Sequence, residues 1–180
     1  MAETIIYNDN TYRRVNGKWV DKNGMVVTHL QKTLDNLFSK QQSKDNLTAD
    51  ELIAEGDRYK EAGTTHLAIQ YYEAALKTKT ISVHKAVLPR LTSCYRMQGQ
   101  AIKAIEIYES ARMTYGEKLM SSPLCTSVAA AYCDIRDYDS AKKCADKAFA
   151  MGGGKASGEL ASVYGRIRKE TTGSGAFEEK

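Results

Sequence analysis

Hydrophobic positions along this chain change period after the first few dozen residues. Over residues 4–28 they come in short β-prone runs separated by turn residues: Thr4-Ile5-Ile6-Tyr7, Thr11-Tyr12-Arg13-Arg14-Val15, Lys18-Trp19-Val20-Asp21 and Met25-Val26-Val27-Thr28. Asn16-Gly17 is the strongest hairpin signal, because both residues tolerate the positive φ of a type I′ turn. The pattern predicts a small antiparallel β-meander over residues 1–28. A sheet of this size is not stable alone. It must pack on something, and Trp19 and the tyrosines are the side chains to do so. From Thr28 to Ser43 the period becomes helical. Leu30, Leu34, Leu37 and Phe38 form one apolar stripe, opposite Gln31, Lys32, Asp35 and Lys40. The polar residues 41–46 predict a loop, so residues 29–46 read as a linking helix and its exit.

Beyond this point helices come in pairs. Thr48-Ala49-Asp50-Glu51 has the form of a capping box, a hydroxyl at the N-cap and a carboxylate three residues on. It starts a helix predicted to run to Ala62, where Gly63 stops it, and a second helix is predicted over Thr65–Lys77. The unit then recurs. Tyr59, Tyr95 and Tyr132 are separated by 36 and 37 residues, and Ala68, Ala104 and Ala141 by the same two spacings. Ala75, Ala111 and Ala148 share the register, as do the small residues Gly56, Thr92 and Ala129. Tyr72 and Tyr108 match too, with Ala145 in the third copy. Several columns in one register are the mark of a structural repeat. The physical reason is close packing: a small residue late in the first helix and an alanine early in the second let two backbones approach. Each pair keeps one unburied apolar face, so pairs must stack.

This pattern resembles the tetratricopeptide repeat (TPR). The family's small residue, tyrosine, glycine, alanine, aromatic and alanine run as Gly56, Tyr59, Gly63, Ala68, Tyr72 and Ala75. They recur as Thr92, Tyr95, Gly99, Ala104, Tyr108 and Ala111, and as Ala129, Tyr132, Arg136, Ala141, Ala145 and Ala148. The resemblance implies a mainly α fold: three helical hairpins over residues 49–154 behind the β-meander. A capping helix is expected over residues 155–170, with Leu160, Val163, Tyr164 and Ile167 on its apolar side. The Gly/Ser/Glu-rich tail, residues 171–180, reads as disordered. The copies are two or three residues longer than the family's usual 34. Loops near residues 78–82 and 113–122 are the expected place for the surplus. Pro89 implies a helix starting near Leu88, or a kink.

Composition narrows the function. The chain carries 26 basic and 22 acidic residues, net +4, with the signs interspersed. That speaks against nucleic acid as the partner. No run approaches the length of a membrane helix, and the N-terminus lacks a secretory pattern. Cys94, Cys125, Cys133 and Cys144 show no CxxC spacing, which fits free thiols in a reducing cytoplasm. Gly152-Gly153-Gly154-Lys155 lacks the spacing and the preceding strand of a phosphate loop. His29, His66 and His84 show no ligand spacing, so neither metal nor cofactor is expected. No catalytic constellation can be named.

The expectation is therefore a protein-interaction scaffold rather than an enzyme, with a protein or peptide partner. In the family the first helix of each pair lines a concave surface. Transferred here, the inner positions are Asp50, Ile53, Asp57 and Lys60, then Ala86, Ser93, Arg96 and Met97, then Thr126, Ala130, Cys133 and Asp134. The implied peptide site is Asp57, Lys60, Ser93, Arg96, Met97, Ala130 and Asp134. The clamp that chaperone co-factors of this fold close on a C-terminal carboxylate maps to Ile53, Asp57, Arg90, Pro123 and Ser127. Only Arg90 has the required charge there, and Asp57 opposes it. Two alternatives stand beside this reading. One is a structural homodimer formed through Trp19, Leu34 and Phe38 or through an end of the array. The other is a β-module whose aromatic and basic string Tyr12–Trp19 has its own ligand, against the simpler expectation that Trp19 plugs the hairpin onto the following helix.

Overall fold

The computed structural model describes residues 3–173. It divides into an N-terminal unit ending at Leu47 and a repeat unit starting at Thr48.

In the N-terminal unit, β1 (Thr4–Tyr7), β2 (Asn10–Val15) and β3 (Lys18–Val20) form an antiparallel sheet in the order β1-β2-β3. Asn16 and Gly17 take φ of 50° and 76°, as the hairpin reading requires. The expected fourth strand shrinks to a single bridge, Val20 to Val26. Helix α1 (Gln31–Asp45) runs through most of the expected loop at 41–46. That stretch is polar but holds neither glycine nor proline, and polarity alone does not end a helix. Ile5, Tyr12, Trp19 and Leu34 form the core, flanked by Leu30, Leu37 and Phe38. Trp19 is fully buried and meets Phe38 edge-on, 5.3 Å between ring centres. Its indole N–H donates to Asp35 at 2.9 Å. The Gln31 side chain accepts from the Trp19 amide and donates to its carbonyl, at 3.0 and 2.9 Å. A glutamine thus stands in for the strand that β3 lacks. Packing, the simpler of the two expectations, accounts for Trp19. Trp19 and Leu34 are spent inside this unit, so they cannot supply the homodimer surface proposed through them.

Among the described residues the repeat unit has helices and no strands: α2 (Ala49–Glu61), α3 (Thr65–Leu76), α4 (Ile81–Met97), α5 (Ala101–Tyr115), α6 (Ser122–Asp134), α7 (Tyr138–Met151) and α8 (Gly158–Gly173). The Thr48–Glu51 capping box forms at α2, with both reciprocal bonds present. Within a pair, the decisive contact is between small and large. A Cβ placed on Gly56 would lie 2.5 Å from the Tyr72 ring, so only glycine lets α2 and α3 close this far. Tyr72 is fully buried, and its hydroxyl donates to Asp57 at 2.6 Å. In the third pair Ala129 and Ala145 replace glycine and tyrosine, and both are fully buried.

Between pairs a second device repeats. Tyr95 donates its hydroxyl to Glu73, Tyr132 to Glu109 at 3.1 Å, and Tyr164 to Asp146 at 2.9 Å. Glu73, Glu109 and Asp146 are themselves 36 and 37 residues apart. Each carboxylate on the second helix of one pair ties the next pair's tyrosine.

The surplus residues lie in helices rather than in loops. Helices α2 and α6 begin seven residues before Gly56 and Ala129, whereas α4 begins eleven before Thr92, at Ile81. Helix α3 ends one residue past Ala75, whereas α5 runs four past Ala111 and continues as a 3₁₀ turn, Gly116–Leu119. Pro89 consequently sits inside α4 rather than at its start. Its ring removes a helix donor at a cost of about 3 kcal/mol. Burial of Val87, Leu88 and Leu91 around it offsets that cost. Nearby, the Arg90 guanidinium donates to the Ala86 carbonyl at 2.6 Å. Helix α8 begins seven residues before Gly165, which stands 36 after Ala129. It therefore has the register of a fourth first-helix, with Leu160, Val163 and Ile167 buried. The part of the tail beyond residue 173 lies outside the described residues.

Two substitutions test the packing. Gly56→Val should cost roughly 3 kcal/mol in urea unfolding, at the upper end for overpacking, because the Tyr72 ring has nowhere to move. Arg136 takes the column where the first two copies have Gly63 and Gly99, and it holds φ of 63°. Arg136→Gly should therefore raise stability by about 0.5–1 kcal/mol by relieving that left-handed strain. An unchanged or lower midpoint would contradict the strain argument.

Candidate peptide-binding face

Neighbouring first helices are laced by ion pairs on the face that the resemblance assigns to a peptide. Arg90 of α4 donates through Nε to Asp57 of α2 at 2.9 Å. Asp57 thereby serves Tyr72 and Arg90 together. Farther along, Arg96 of α4 bonds Asp134 of α6 at 2.7 Å and Glu159 of α8 at 3.0 Å. Arg166 of α8 reaches the other oxygen of Asp134 at 2.8 Å. Four groups of alternating sign thus join three helices. The Arg96 side chain is only 19% exposed, and its fork, suited in principle to a ligand carboxylate, is already filled from within.

The expected site residues therefore separate into three groups. Ser93, Arg96, Met97 and Asp134 line one open depression of about 800 Å³ between the second and third pairs. Asp57 lies on α2, held by Tyr72 and Arg90, with Lys60 one turn farther on the same helix and half-buried. Ala130 is 1% exposed, and Thr126 and Cys133 are similarly buried. Ala130 is therefore not part of the accessible surface, since α8 packs against α6. The transferred geometry counted Ala130 as an inner surface position although the expected capping helix, here α8, packs on α6.

The depression also takes in residues that helix-face reasoning overlooked. Ile102 on α5 and Ile135 after α6 line it together with Met97. All three are exposed, Ile102 at 64%. Ile102 belongs to a second helix and Ile135 to a turn, so a search confined to first helices could not find them. The available signal was an apolar side chain at a helix boundary, Ile102 as the second residue of α5 and Ile135 as the residue after α6. Lys103 and Glu106 supply opposite charges at the rim. Lys103 is held over the Tyr95 ring, 4.6 Å from its centre, and pairs with Glu73 at 3.6 Å.

The thiols sit elsewhere. Cys94, Cys125 and Cys133 are buried and Cys144 is partly buried; all four are free. Burial pushes each thiol up, Cys144 to about 11, where the neighbouring Cys125 adds to the effect. Such groups are poor nucleophiles at neutral pH. Among the described residues, no group of three or more His, Cys, Asp or Glu could hold a metal ion. No helix among them is long and apolar enough to cross a membrane.

Solved structures resemble the array as a whole. The TPR domain of Sgt2 from Aspergillus fumigatus superposes with a TM-score of 0.62 at 22% identity, over 73% of this chain and 84% of that one. The C-terminal TPR-containing domain of a Plasmodium falciparum FK506-binding protein gives 0.58 at 15% identity, over 71% and 90%. The chain has the TPR fold. The first TPR of Spaghetti (RPAP3), solved with the HSP90 peptide SRMEEVD, gives 0.55 at 15% identity, over 69% of this chain and 94% of that one. No family model and no curated protein sequence matches the chain. The likeness is therefore one of fold. Ion pairing between the first helices of the TPR array and the apolar depression beside them are features of this chain's own side chains.

Buried, raised thiols make a direct prediction. At pH 8 the native protein should react with a disulfide reagent far more slowly than free cysteine does. Unfolding in guanidinium should release the four thiols at the ordinary rate. Fast native labelling of Cys144 would show that the depth assigned to it is wrong.

Proposed function

We propose that the TPR array is a protein-interaction scaffold, and that it binds a short extended peptide segment of a partner in the depression between its second and third pairs. The observation that carries this reading is the exposure of Met97, Ile102 and Ile135 around one concavity. Apolar side chains gathered at a recess favour an apolar anchor residue on the partner. The TPR fold adds support, since one neighbour of that fold was solved with a peptide bound. The balanced rim of Lys103, Glu106 and the Arg96–Asp134 pair leaves the anchor, not net charge, to supply most of the binding energy.

The same geometry argues against recognition of an acidic C-terminus. Of the carboxylate-clamp positions only Arg90 is cationic, and its guanidinium is paired with Asp57. A ligand carboxylate arriving there would have to displace Asp57 and would then face its charge.

Selection of displayed random peptides against the purified protein tests both statements. Enriched sequences should carry a large aliphatic or aromatic anchor, and Ile102→Asp should weaken them at least tenfold, the effect of losing one hot-spot contact. Lys60→Glu, away from the depression, should leave affinity within about twofold. SRMEEVD should bind no better than a scrambled sequence. Peptides that ignore Ile102→Asp yet respond to Lys60→Glu would move the site to α2 and overturn this assignment.

A further inference from the structure

The residues by which the array exceeds the usual repeat length are gathered in one place. The added first turn of α4 carries His84, and the extended end of α5 carries Tyr115. Their rings meet at 4.8 Å between centres, and the Tyr115 hydroxyl donates to the Lys79 carbonyl at 2.7 Å. Lys79 itself holds φ of 53° in the turn between α3 and α4. The two extensions brace one another, and together they wall a second open depression of about 640 Å³.

One side of this depression is a single stripe of α5: Glu106, Ile107, Ser110, Ala111, Thr114 and Tyr115. The other side is Leu76, Lys79 and His84. Along α5 the stripe spans nine steps, about 13 Å at 1.5 Å per residue, the reach of about four extended residues. Its middle is apolar, with Leu76, Ile107 and Ala111. Its ends differ in charge. Glu106 stands at one end, and Lys79 with His84 at the other. Neither Glu106 nor Lys79 takes part in an ion pair among the described residues, while most other charges of α4 and α5 do. The His84 Nδ1 faces the Thr80 carbonyl at 2.9 Å, which makes Nδ1 the donor and leaves Nε2 for a ligand.

We infer that this depression, built by the repeat extensions, is a second peptide site on the array, and that it takes an extended segment of about four residues with a basic residue at one end, apolar residues in the middle and an acidic residue at the other. Lys79 receives the acidic side chain and Glu106 the basic one. Leu76, Ile107 and Ala111 receive the apolar pair between them. The site shares Glu106 with the one proposed between the second and third pairs and is told apart from it by Lys79 and Ile107 on one side and Met97 and Ile102 on the other.

The probes are blocked tetrapeptides, acetyl-Lys-Leu-Leu-Glu-amide, its reverse acetyl-Glu-Leu-Leu-Lys-amide and the neutral acetyl-Gln-Leu-Leu-Gln-amide, titrated into the isotope-labelled full chain. Amide shifts are followed at Lys79, His84, Ile107, Ser110 and Thr114. One charged peptide should shift these amides, bind severalfold better than the neutral one, and leave Met97 and Ile102 still. Lys79→Glu should weaken that peptide about fivefold, the effect of reversing one exposed ion pair, and leave the neutral peptide unchanged. Glu106→Lys with Lys79→Glu should restore binding in the reversed peptide orientation, which a merely structural role for either residue would not do. Shifts confined to Met97 and Ile102, equal binding of all three peptides, or no shift at millimolar peptide each overturn the inference. The displayed-peptide test of the first site is read at Ile102, which lies outside this depression, so the two tests fail separately.

Discussion

The closeness with which one helix can lie against the next governs the array. Gly56 has no side chain because the Tyr72 ring occupies the place where one would be. That single exchange of volume brings α2 and α3 together, and it sets Asp57 where the Tyr72 hydroxyl and the Arg90 guanidinium both reach it. The stacking of the second pair on the first is thereby coupled to the packing inside the first. Later pairs use the same logic with different volumes, ending in Ala129 against Ala145. The shorter side chains there accompany an α6 that is buried without a break from Leu124 to Ala131, Thr126 and Ser127 included.

Hydrogen bonds and ion pairs then fix the relation between pairs. The tyrosine–carboxylate ties join a second helix to the next first helix, and the arginine–carboxylate pairs join first helices to one another. Each tie is a partly exposed contact of modest energy, but their repetition in register resists sliding of one pair past the next. This has a functional cost. Charges used for lacing are not available to a ligand, which is why the proposed site lies in an apolar recess rather than on the charged faces of the first helices. The extra helical turns in α4 and α5 add a further recess, where His84 meets Tyr115.

The N-terminal unit solves a different problem with the same economy. A three-stranded sheet cannot bury enough surface by itself. Trp19 supplies the missing area by seating against Phe38 and Leu34, and Gln31 supplies the missing backbone partners. Two members of the aromatic and basic string that in sequence suggests a ligand are engaged with one another: the Arg14 guanidinium lies 5.7 Å from the Trp19 ring centre and pairs with Glu3 and Asp35.

Local patterns settled most of the architecture. The repeat register, the Thr48 capping box, the Asn16-Gly17 hairpin and the amphipathic stripes of α1 and α8 each depend on residues close together in the chain, so periodicity and turn chemistry suffice to read them. Helix lengths did not follow from the same signals. Pro89 and the surplus residues looked like breaks and loops, yet burial of Val87, Leu88 and Leu91 outweighs one lost helix bond. The proposed binding face was legible only in part. Ser93, Arg96, Met97 and Asp134 could be placed on first helices by register, and the tertiary structure brings them to one recess. Ile102 and Ile135 join them from a second helix and a turn, Ala130 is buried, and Arg90 and Arg96 are claimed by carboxylates 33 and 38 positions away. Which charged group is free depends on partners distant in sequence, and no local pattern encodes that.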